Sequence, residues 1–74
     1  MTPLAHELHQ KILAALPGAV VTVHDPDGAH LSAEVAAPQF ADLSRLAQHK
    51  LVYAALGEAM RERVHALQLV TRAL

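Results

Sequence analysis

Apolar residues recur at every fourth position through the first segment: Leu4, Leu8, Ile12 and Leu16. That spacing keeps them on one side of an α-helix. Thr2 can cap the helix, Pro3 suits its first turn, and Pro17-Gly18 stops it. The period then falls to two. Residues 19–24 are rich in Val and read as a strand, and residues 29–36 read as a second one. Between them lies Asp25-Pro26-Asp27-Gly28, a turn sequence with Pro at its second position and Gly at its fourth. A three-residue loop of Pro26, Asp27 and Gly28, with a bulge at the glycine, sets Asp25 opposite Ala29 and His24 opposite His30. This register gathers Val21, Val23, Leu31, Ala33 and Val35 on one face, and Thr22, His24, His30, Ser32 and Glu34 on the other. A simple four-residue loop would mix the two faces.

Pro38 ends the second strand, and residues 39–42 form a short turn or a single helical turn. Asp42 or Ser44 can cap a long helix that runs to about Glu62. Leu46, His49, Val52, Tyr53, Leu56 and Met60 fall at three- and four-residue steps along it. Gly57 interrupts it at a cost of roughly 1 kcal/mol relative to Ala. Residues 64–72 read as a last strand, with His65, Leu67 and Leu69 on one side and Ala66, Gln68 and Val70 on the other. The right-handed crossover rule makes this third strand parallel to the second, with the helices on one face. The expected fold is therefore α+β, with a three-stranded mixed sheet in one domain spanning residues 1–74.

Composition narrows the chemistry. A chain of 74 residues buries a thin core, and a hydrophobic content of 53% compensates. Phe40 and Tyr53 are the only aromatic residues besides histidine, which leaves few flat rings for stacking on bases. There is no cysteine, so disulfides, thiolate metal ligands and thiol catalysis are excluded. No apolar run reaches the roughly 20 residues of a membrane span, and Met1-Thr2-Pro3-Leu4 lacks the features of a signal peptide. The cytoplasm is the expected location. Six Lys and Arg stand against seven Asp and Glu, a net charge of −1 that lacks the usual basic footprint of a nucleic-acid binder.

Histidine is the unusual residue, at six in the chain. If the second and third strands are parallel, His30 and His65 start at the same edge of the sheet, and His24 ends the antiparallel first strand there too. Convergent imidazoles suit a metal or cluster site. The same spacing also fits a polar cross-strand pair of His24 and His30, and a His65 packed with one nitrogen bonded to backbone. His49, on the apolar stripe of the long helix, reads as a packing residue with one satisfied nitrogen. His6 and His9, three apart beside Glu7, have a spacing that could hold a divalent ion but read as part of a solvated helix face. Catalysis finds no support: Ser32 and Ser44 lack a nucleophile-elbow context, no glycine-rich phosphate loop is present, and the expectation is a protein that is not an enzyme.

From Phe40 onward the chain resembles the BolA family. The matching residues are Phe40, Ser44, Gln48-His49-Lys50, Val52-Tyr53, Leu56 and Val64-His65-Ala66-Leu67, with Asp27-Gly28-Ala29-His30 similar to the family's stretch at the start of the second strand. The resemblance implies an α-β-β-α-α-β fold similar to the class II KH domain. It implies pairing with a monothiol glutaredoxin around a 2Fe-2S cluster, held by the glutaredoxin cysteine, a glutathione thiolate and histidine from this chain. The family's ligand histidine maps onto His65. A second ligand from the hairpin region maps first onto His30 and alternatively onto His24. No cluster is expected in the isolated chain, which is expected to be a monomer or a weak dimer.

Histidine in place of thiolate raises a cluster's reduction potential. A chain without cysteine can share a cluster only through a partner's thiolates. The resemblance also implies an alternative, a DNA-binding transcriptional regulator of stress response or morphology, with Arg45 and Lys50 on phosphate. Ala41-Asp42 stands where the family usually has glycine, and Gln48 and Lys50 stand where arginine is common. Both departures reduce the expected nucleic-acid surface.

Overall fold

The computed structural model of the chain describes residues 2–27, 30–62 and 67–74, with the side chains of residues 61 and 62 left out. Helix α1 spans Pro3–Ala15, strand β1 Val20–His24 and strand β2 Leu31–Ala37. A single 3-10 turn, Pro38–Phe40, leads to α2, Arg45–Leu56, and α3, Glu58–Glu62, before strand β3, Leu67–Ala73. The sheet order is β1-β2-β3, with β1 antiparallel and β3 parallel to β2. This is the expected α+β architecture.

Helix α1 forms as its stripe requires. Ala5, Leu8, Ile12 and Leu16 are buried. The Thr2 hydroxyl accepts the Ala5 backbone N–H at 3.2 Å, satisfying one of the donors left over at a helix start. That hydroxyl in turn donates to Asp25 Oδ2 at 2.6 Å, tying the start of α1 to the end of β1.

The hairpin keeps its expected faces but not its expected register. His24 pairs with Ser32 and Val23 with Ala33, so the loop is longer than three residues and His24 does not face His30. The offset is two residues. Because side chains alternate with period two, both faces survive it. The cause is local: Asp27 takes the His30 backbone N–H at 2.9 Å, an Asx-type bond that removes His30 from the ladder. β2 accordingly begins at Leu31 and not at residue 29. Residues 63–66, which include the expected start of β3, lie outside the described residues. From Leu67 on, Leu67, Leu69 and Thr71 are half-buried while Gln68, Val70 and Arg72 are exposed, as the alternation requires.

The long helix divides at Gly57. There φ is 56° and ψ −129°, a conformation open to glycine and closed to most L-residues, so α2 ends and α3 starts on a new axis. Ser44, not Asp42, is the cap, accepting the Ala47 N–H at 3.1 Å. The expected stripe on this segment is only partly interior. Val52, Leu56 and Ala59 are buried at steps of four and three, whereas Leu46 is 66% and Tyr53 40% exposed. α1 packs on β1 and α2, and α2 packs on β3. Phe40 fills the centre, joined by Leu8, Ile12, Val35, Val52 and Leu56. No helix among the described residues is long and apolar enough to cross a membrane.

Candidate functional site at the hairpin end

The sheet face away from the helices is built of cross-strand rows. His24, Ser32 and Gln68 form the row nearest the hairpin loop. Together with Pro26, His30 and Leu31 they line an open depression of about 270 Å³. His24 and His30 thus share one site, although they are not a cross-strand pair.

His30 is the better defined of the two. Its backbone N–H donates to Asp27 Oδ1 at 2.9 Å, and its ring Nδ1 lies 2.7 Å from Asp27 Oδ2. An ionised carboxylate only accepts, so Nδ1 carries the proton and the lone pair of the neutral ring is on Nε2. The Asp27 carboxylate raises the His30 pKa above its ordinary 6.5, through this hydrogen bond first and its negative charge second. The His30 side chain is 81% exposed, which leaves Nε2 open to an incoming group.

Among the described residues no three His, Asp or Glu side chains converge to hold a metal ion. Neutral imidazoles are good donors to iron, and the chain has no thiolate of its own. The donor set therefore fits a shared group whose remaining ligands come from elsewhere.

His65, the first-ranked ligand, lies outside the described residues. Arg45 and Lys50 are both exposed on α2. Five residues apart on a helix, they are turned by roughly 140° from one another and do not share a face. Just before α2, Asp42 adopts a left-handed conformation with φ 64°. Aspartate is among the non-glycine residues that tolerate this region, so the backbone turn persists without the family's glycine and gains a negative charge. His49 departs from its expected role: Nε2 is buried with no hydrogen-bond partner among the described residues, while the ring meets Tyr53 edge-on at 6.3 Å. Sequence reasoning assigned Asp27 to the turn alone and passed over its grip on His30. The spacing of an Asp three residues before a His was the available signal.

The family profile for BolA-like proteins matches residues 5–74. The chain belongs to the BolA-like family. It is 33% identical over 69 residues to RP812 of Rickettsia prowazekii (strain Madrid E), covering 90% of each chain. It is 37% identical over 49 residues to the UV-induced protein uvi31 of Schizosaccharomyces pombe, spanning 66% of this chain and 48% of that one. Among solved structures, the BolA homologue from Coxiella burnetii superposes with a TM-score of 0.80 at 36% identity, over 99% of this chain and 91% of that chain. The α+β arrangement described above is therefore the BolA-like fold.

Proposed function

We propose that this BolA-like chain is a non-enzymatic cytoplasmic adaptor. It pairs with a monothiol glutaredoxin and co-ligates a 2Fe-2S cluster through His65 and His30, with His24 as the alternative hairpin ligand. It would serve in iron–sulfur cluster trafficking or in iron, redox or stress regulation. The observation that carries the reading is the hairpin end itself. His30 offers an accessible Nε2 there, and Leu31, the next residue, pairs with Leu67, two residues after His65. A cluster shared here takes its thiolates from the partner cysteine and glutathione, and imidazole ligation would raise its potential relative to an all-thiolate site.

The test is reconstitution of a cluster on a monothiol glutaredoxin with glutathione, followed by visible absorption and circular dichroism with and without this protein. The wild-type chain should change the spectrum. The double variant His65→Ala/His30→Ala, shown to be folded by far-ultraviolet circular dichroism, should not. A double variant that reproduces the wild-type mixed spectrum removes the ligand assignment.

The second reading is a DNA-binding regulator of stress response or morphology. The exposure of Arg45 and Lys50 favours it, as does the UV-inducibility in the name of the relative uvi31. A gel-shift titration at varied salt separates the two, because a phosphate-dependent complex weakens as salt rises.

A further inference from the structure

The hairpin end carries two exposed histidines, His24 and His30, of which the family resemblance favours His30 without a physical reason. Resting on the reading of this end as half of a cluster site, we propose that Asp27 is a positioning residue that commits His30 to ligation through Nε2. It thereby makes His30, and not His24, the hairpin ligand.

The geometry is a two-point clamp. One carboxylate oxygen of Asp27 takes the His30 backbone N–H at 2.9 Å and the other faces ring Nδ1 at 2.7 Å. The first contact fixes the backbone from which the side chain departs. The second fixes the ring about its own axis and selects the tautomer. An exposed histidine without such a partner samples several rotamers and both tautomers, and a ligand must select one of them at an entropic cost. His24 is such a residue: its ring has no hydrogen bond among the described residues, although it lines the same depression.

The Asp27–His30 arrangement has the form that metal-binding histidines commonly take. One nitrogen donates to a carboxylate, so the ring is oriented and the other nitrogen becomes more basic toward the metal. The clamp is built from residues close in sequence, so it exists before any partner arrives. Asp27 touches no reacting atom and acts only through His30.

The measurement begins with the isolated chain. Long-range proton–nitrogen correlation spectra of the ¹⁵N-labelled protein at pH 8 report which ring nitrogen of each histidine carries the proton. In the wild type His30 should be predominantly the Nδ1–H tautomer. Asp27→Ala should return it toward the Nε2–H form, with His24 unchanged. Asp27→Asn, which keeps the shape of the side chain, should weaken the preference while the amide shifts of Val23 and Ala33 report an intact hairpin.

The second readout is the mixed complex with a monothiol glutaredoxin and glutathione. Loss of the carboxylate should weaken formation of the cluster-loaded complex by about 10–100-fold. His24→Ala should weaken it far less than His30→Ala does. A His30 tautomer that is the same in wild type and Asp27→Ala overturns the proposal, as does a His24→Ala loss equal to that of His30→Ala. A wild-type mixed complex that Asp27→Ala and Asp27→Asn form equally well overturns it alone and leaves the adaptor reading standing. A wild-type chain that forms no mixed complex overturns the adaptor reading, and the ligand role of His30 with it.

Discussion

Strand β2 carries two surfaces on one backbone. On the helix side Leu31, Ala33 and Val35 are 4%, 3% and 1% exposed, packed against α1, Phe40 and the buried residues of α2. On the other side Ser32 is half-buried, Glu34 is exposed, and the row ends beside His24 and His30 at the loop. The contrast shows how a small domain divides its labour. From Leu31 to Val35, residues that hold the fold alternate with residues of the open face, and Ala36 and Ala37 then close the strand with two buried positions in a row.

Breaking the packed side should cost most. Phe40 is fully buried at its centre, and Phe40→Ala should lose about 3–5 kcal/mol, a large share of the stability of a domain this size. Urea unfolding followed by far-ultraviolet circular dichroism measures it, and a loss under 1 kcal/mol would contradict the central placement of this ring. Next comes the seam between the two regions. Thr2 caps α1 and also bonds Asp25 at the loop end, so Thr2→Ala should cost about 0.5–2 kcal/mol. A change no larger than that of an exposed substitution elsewhere on α1 would show the cap to be idle. On the open face, Glu34→Ala should stay within about 0.5 kcal/mol, and a loss of several times that would reveal a hidden role for the face.

The mildest effect is one of pH. The folded His30 pKa lies above its unfolded value of 6.5 because of Asp27. The added stability from protonating His30 beside the ionised Asp27 carboxylate is therefore fully present below pH 6.5 and is lost as pH rises through the raised value, leaving the hydrogen bond of the neutral ring. A chemical-shift titration should place the His30 midpoint above 6.5 in the wild type and closer to it in Asp27→Asn. Equal midpoints in the two proteins would refute the contribution of the carboxylate.

The division was largely legible in the sequence because period four and period two are strong signals. They placed α1, the faces of the hairpin and the alternation on β3. The register was not legible. The loop sequence fits a bulged three-residue turn as well as it fits the observed connection, and only the capture of His30 by Asp27 separates them. The apolar stripe of α2 is wider in the sequence than in the packed structure for a different reason. An alanine-rich helix offers several three- and four-residue paths, and contact with one strand and one helix needs only the path through Val52, Leu56 and Ala59. Of the site, strand direction already implies that His24 and His30 lie at one end, as they do, the family resemblance points to His65, and the ordinary duty of Asp27 as a turn residue conceals its second role.

The pairing register of the hairpin, His24 with Ser32, has an evolutionary consequence. A shift of the pairing by two residues leaves every core side chain on its own face, yet moves the loop's histidine one step along the outer face. Parity protects the interior while the exposed loop histidine is free to shift. Among proteins that share this scaffold, hairpin registers should therefore differ by even-numbered steps more often than by odd ones.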